Sequence, residues 1–140
     1  MVELRKVKYD DVNVGDEIPS FQNTWDKMTG IIYAGASGDF NPIHVDPDIA
    51  KLSGQPNVFA HGLFNMALLG RTVVDWIGDP GDLKQYKVQF RARVFPGDTV
   101  TFKGKIVEKM DGNLVRLEVW AEKADGELCL KNGEAVVYLP

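Results

Sequence analysis

Between residues 39 and 44 the chain carries a carboxylate, an amide and an imidazole, Asp39, Asn41 and His44, inside the run Gly-Asp-Phe-Asn-Pro-Ile-His-Val. A carboxylate and an imidazole are the pair of side chains most often used to move protons near neutral pH. The run follows neither helical nor strand periodicity, and Pro42 excludes Asn41 from the helical region, so it reads as a loop. Pro42 also restricts the backbone between the two titratable groups, which favours a fixed mutual geometry. Loops held by rigid elements are frequent sites of catalysis. Taken by themselves, the same residues also fit a turn that Asp39 caps and an imidazole that is merely packed, and spacing does not separate the two readings.

Metal chemistry is disfavoured by the spacing. A calcium loop opening at Asp39 would need glycine at its sixth position and glutamate at its twelfth, where this chain has His44 and Ala50. A transition-metal site built from His44, Asp46 and Asp48 lacks a second imidazole nearby, because the other histidine, His61, is far along the chain. The expectation is no metal and no cofactor.

The loop needs elements to hold it. Thr24 is placed to cap a helix reaching Ser37 that buries Met28, Ile31 and Ile32, with Gly38 as its stop. Asp46-Pro47 is a cap and first-turn pair, predicting a short helix to about Leu52. A longer helix starts at His61 or Gly62 and runs to Trp76, with apolar residues on nearly every face, as in a helix enclosed by other structure. From Tyr86 to Val94 the period becomes two, predicting a half-buried strand. Further strands are expected at about 98–109, 114–124 and 128–139, separated by Pro96-Gly97-Asp98, Asp111-Gly112-Asn113 and Asp125-Gly126. The opening stretch to Phe21 is irregular, with an edge strand over Glu17–Phe21 broken by Pro19. Together these predict an α+β domain over residues 1–140, an antiparallel sheet wrapped around one central apolar helix.

A net charge of -4 leaves no cationic surplus for nucleic acid. The N-terminus has no apolar signal-like core, and the stretch 63–77 is interrupted by Asn65, Arg71 and Asp75, so neither export nor a membrane span is expected and a cytoplasmic location is the reading. Cys129, the only cysteine, is expected to be an inert packed residue.

The run Ser37-Gly38-Asp39-Phe40-Asn41-Pro42-Ile43-His44-Val45-Asp46 resembles the signature of the MaoC-like dehydratases and R-specific enoyl-CoA hydratases, which have the hot-dog fold. Val58-Phe59-Ala60-His61-Gly62 resembles the apolar stretch and His-Gly pair that open the family's central helix, and the segment from Val88 to Asp98 also resembles the family's. The resemblance implies a single hot-dog domain with 39–44 as a catalytic overhang loop. It implies hydration of 2-enoyl thioesters, or dehydration of (3R)-3-hydroxyacyl thioesters, on CoA or acyl-carrier protein, with Asp39 and His44 sharing a catalytic water. Gly62 would be the oxyanion donor, where helix-start N–H groups and the absent Cβ make physical sense. Asn41 would support the pair, His61 would be structural or capping, and Asp46 would cap the short helix.

The chain is also similar to the catalytic subunit of heterodimeric (3R)-hydroxyacyl-ACP dehydratases, so a homodimer or a heterodimer with a second hot-dog subunit is expected. Lys84, Lys87, Arg91 and Arg93 are the cations available for the carrier's phosphates. The competing readings are a hot-dog acyl-thioesterase and a non-catalytic acyl-binding subunit; the Asp-x-Asn-Pro-x-His loop argues against the first and the intact acid and imidazole against the second.

Overall fold

The computed structural model describes residues 7–140; residues 1–6, including the charged start of the chain, lie outside the described part. Strand β1 (Phe21–Thr24) leads to helix α1 (Lys27–Ser37), a 3₁₀ turn at Pro42–His44, the short helix α2 (Pro47–Leu52) and the long helix α3 (Gly62–Ile77). Four longer strands follow: β2 (Asp82–Phe90), β3 (Thr99–Met110), β4 (Leu114–Lys123) and β5 (Leu128–Tyr138). All pairs are antiparallel, in the order β1-β3-β4-β5-β2. This is the α+β arrangement read from the sequence.

Alternation along the strands creates the core. Ile106 pairs with Leu117, Leu117 with Ala135 and Val115 with Val137, and all five are buried. Their neighbours Lys105, Glu118 and Glu134 stand on the other face, as the period of two requires. Against the apolar face lie Leu69, Val73, Trp76 and Ile77 of α3. The Tyr86 ring fits over Gly70, and its hydroxyl donates to Met66 O at 2.6 Å, which fastens β2 to the helix.

Several sequence expectations are corrected. The first strand is Phe21–Thr24, and Glu17 makes only an isolated bridge to Lys105, because Pro19 has no N–H to carry the ladder. Thr24 is not the cap of α1: its hydroxyl bonds that of Thr99 at 2.7 Å, and the Asp26 carboxylate caps instead, accepting from Thr29 N at 2.7 Å. Met28, Ile31 and Ile32 are not buried but 61, 42 and 66% exposed; α1 turns its small face, Gly30 and Ala34, inward. Nor is α3 enclosed all round. The sheet covers one side, while Leu63 and Val74 stay 60 and 47% exposed on the other. The strand expected over 86–94 starts earlier, at Asp82, and its regular part ends at Phe90, although Arg91 N and Ala92 N still donate to Cys129 O and Leu128 O and Val94 is buried in the core. No helix among the described residues is long and apolar enough to cross a membrane.

Trp25 ties the start of α1 to the sheet. It is buried, it donates from its N–H to Asp98 O, and its own carbonyl accepts from Gly97 N. Gly30 lets α1 approach it, since a Cβ there would stand 2.6 Å from the indole. Gly133 performs a similar service between β4 and β5, where a Cβ would lie 2.2 Å from Val119 O. A main-chain oxygen cannot swing aside like a side-chain tip. Gly133→Ala is therefore expected to lower stability by about 3 kcal/mol, the upper end of overpacking penalties, as measured by denaturant unfolding.

Candidate active site

The loop after α1 is built from local backbone bonds. Gly38 takes the left-handed conformation (φ 76°) that ends the helix, and its N–H donates to Ala34 O. The Asp39 N–H donates to Ser37 Oγ and the Asn41 N–H to Asp39 Oδ1, both at 3.2 Å. Asn41 Oδ1 accepts from Ile43 N at 3.2 Å, so this side chain holds the 3₁₀ turn that delivers His44. Asp46 then caps α2 as expected, accepting from Asp48 N at 2.9 Å.

His44 is buried at 8% exposure, whereas the Asp39 side chain is 50% exposed. His44 Nδ1 lies 2.8 Å from Phe59 O. A carbonyl can only accept, so Nδ1 carries the proton and Nε2 keeps its lone pair. Burial pushes the His44 pKa below the ordinary 6.5; the neighbouring His61 adds to this, and the Phe59 carbonyl and Asp39 oppose it. The ring is thus a neutral base at neutral pH.

Sequence reasoning misplaced His61. It was read as remote from His44, yet the two rings stack with centroids 3.9 Å apart and 27° between planes. Of the two roles expected for it, structural or capping, the cap is absent: its side chain makes no capping bond to α3. Its Nε2 instead lies 3.0 Å from Asp39 O and 3.8 Å from Asp39 Oδ2. The adjacent Gly62 was a visible signal that His61 sits at the helix head, but a 22-residue separation concealed the contact. Ligating atoms of Asp39, His44 and His61 fall within 4.8 Å of one another. Planes inclined by only 27° meet well beyond the roughly 2 Å of a metal–nitrogen bond, so one ion cannot face a lone pair on both rings.

Gly62 opens α3, where the first N–H groups have no intrahelical partner and the helix dipole is positive. It lines a cavity of about 370 Å³ together with Phe59, Leu63, Phe90, Arg93 and Leu130. The cavity wall at Phe59 is the residue whose carbonyl holds His44. The space vacated by the missing Cβ of Gly62 is filled by the Phe90 ring, which would stand 2.9 Å from such an atom. The freedom expected there for a ligand is therefore shared with a half-exposed phenyl ring. Of the cations considered, Lys84 and Lys87 pair with Asp82 and Glu134, while Arg91 and Arg93 line the cavity. Cys129 is buried, its thiol pushed up to about 11 by burial, consistent with an inert residue.

Residues 12–125 match the model of the MaoC like domain. Over 109 residues the chain is 30% identical to a probable enoyl-CoA hydratase 2 of Dictyostelium discoideum, covering 76% of this chain but only 36% of that protein. A solved MaoC-like dehydratase superposes with a TM-score of 0.89 at 33% identity, over 96% of this chain and 43% of the other. An (R)-hydratase from A. caviae, described as involved in PHA biosynthesis, superposes with a TM-score of 0.84 at 25% identity, over 92% and 98%. The sheet and long helix are therefore those of the hot-dog fold.

The depressed pKa of His44 makes a sign-definite expectation. The unfolded chain takes up a proton on this ring near pH 6.5, and the folded protein resists it until the pH is lower. Stability should decline as pH falls through about 6.5, and His44→Gln should remove that part of the slope in pH-dependent denaturation.

Proposed function

Because the chain belongs to the MaoC-like domain family, we propose that it adds water reversibly across the double bond of a 2-enoyl thioester to give the (3R)-3-hydroxyacyl thioester. The observation that carries this is the approach of the half-exposed Asp39 carboxylate and the lone-pair-bearing His44 imidazole, whose polar atoms lie within 4.8 Å of one another, the ring being held by Phe59 of the apolar cavity that Gly62 lines. The similarity to an enoyl-CoA hydratase 2 and to an (R)-hydratase supports the substrate class and the stereochemistry.

In this mechanism a water sits between Asp39 and His44 Nε2. The His44 ring starts as a base, its pKa held below the ordinary value by burial, and the proton given to C2 derives from that same water. As its oxygen bonds to C3, one of the pair takes a proton, and the C2–C3 π electrons move onto the thioester oxygen. The Gly62 N–H stabilises this oxyanion from the positive end of α3. The enolate then collapses, C2 takes the proton, and one molecule of water has been added. Dehydration runs the same steps backward. Asn41 serves the pair by holding the turn beneath His44.

Arg91 and Arg93, at the cavity wall, suit the phosphates of CoA or of an acyl-carrier arm. The exposed Met28, Ile31 and Ile32 on α1 and Leu63 and Val74 on α3 suit burial against a second hot-dog unit, identical or different.

Asp39→Asn and His44→Gln should each lower turnover on crotonyl-CoA by about 10²- to 10⁴-fold, the usual worth of a positioned acid or base, with unchanged circular dichroism. Wild-type rates in both would exclude this mechanism. The product's configuration should be R.

A further inference from the structure

We infer that His61 is a positioning residue for the Asp39–His44 pair: its Nε2–H fixes the Asp39 main-chain carbonyl, and its ring face is the surface on which the His44 imidazole rests. The inference builds on the proposed reaction and assigns a role to the second histidine that the reaction itself does not use.

The tautomer follows from the contacts. Asp39 O can only accept, so His61 Nε2 carries the proton and Nδ1 is left with a lone pair. That Nδ1 is buried and has no hydrogen-bond partner. The residue is 2% exposed, so a buried polar atom is left unsatisfied, an arrangement proteins generally avoid. A phenyl ring could fill the same slot, with its edge contacts to Tyr33 and its stack on His44, and leave no bare nitrogen. What the imidazole adds is the Nε2 donor.

Asp39 needs that donor. Its other hydrogen bonds among the described residues, from its own N–H to Ser37 Oγ at the end of α1 and from Asn41 N to its Oδ1, reach only two residues along the chain. The next residue, Phe40, is 68% exposed and offers no anchorage. The bond from His61 alone arrives from a distant part of the chain, 22 residues away, and through one peptide bond it joins the acid's backbone to Gly62 at the start of α3. The same ring stacks on His44, whose far nitrogen is tied to Phe59 O. Acid, base and helix-head amide are thereby held in one register. Among the described residues, the titratable side chains that pack against the two rings are Asp39 on the loop and Tyr33 on α1; Arg93 lies over the Phe59 ring, 5.2 Å from its centroid.

The two histidines should therefore hold opposite neutral tautomers, Nδ1–H for His44 and Nε2–H for His61. With only two in the chain, ¹⁵N-edited imidazole spectra of the wild-type protein at neutral pH resolve them, His44→Gln providing the assignment. An Nδ1–H or doubly protonated His61 would overturn the inference without any further variant. In kinetics, His61→Phe keeps a ring and removes the donor, whereas His61→Gln supplies an amide donor near the Nε2 position. His61→Phe should lower kcat on crotonyl-CoA on the order of 10- to 100-fold with little change in KM, and His61→Gln should recover most of the loss. Equal losses in both, or wild-type kcat in His61→Phe, would refute the donor's role. Wild-type rates in Asp39→Asn and His44→Gln would instead remove the proposed reaction, while the tautomer pair would still report whether His61 grips the loop.

Discussion

The site depends on what a carbonyl oxygen does to an imidazole. Phe59 O, 2.8 Å from His44 Nδ1, consumes the ring's one proton and leaves Nε2 bare. Burial then keeps the ring from acquiring a second proton near neutral pH. The bond also joins two segments 15 residues apart, the turn after α1 and the stretch entering α3. If Phe59 were displaced, both the tautomer and the orientation of the base would be lost together. A second carbonyl, Asp39 O, accepts from Nε2 of His61, whose ring stacks on His44.

The architecture divides support and chemistry between different parts of the chain. Strands β3, β4 and β5 supply a rigid apolar face on which α3 lies, and they contribute no side chain to the acid/base cluster. That cluster comes from the loop after α1 and from the head of α3. Trp25 and Gly30 fix where α1 begins, and Gly38 fixes where it ends, so the loop leaves α1 at a defined place. The stripe left open on α1 and α3 shows that the sheet covers only one side of the helical layer.

The strands and their turns were readable because they are local. Alternation between apolar and polar residues and Asp-Gly pairs act over two to four residues, and β3, β4 and β5 lie within a residue or two of where the pattern places them. The cap of α1 was misread because Thr24 and Asp26 are both good caps, and only the pairing of β1 with β3 decides that Thr24 spends its hydroxyl on Thr99. Helical pattern likewise marked Met28, Ile31 and Ile32 as apolar without revealing that the wall beside α1 accommodates only glycine and alanine.

By itself the sequence determined which side-chain types stand close together and the order in which the elements come: an acid, an amide and an imidazole around Pro42, a glycine opening an apolar helix, and a meander of strands. These are properties of residue type and short spacing. The tertiary structure alone decided that His61 stacks on His44, that Phe59 and Asp39 supply the carbonyls setting the two tautomers, and that Phe90 occupies the space beside Gly62. Those contacts join segments 15 to 28 residues apart, and no periodicity spans such distances; they exist because α3, packed on the sheet, brings its first residues to the loop that α1 presents.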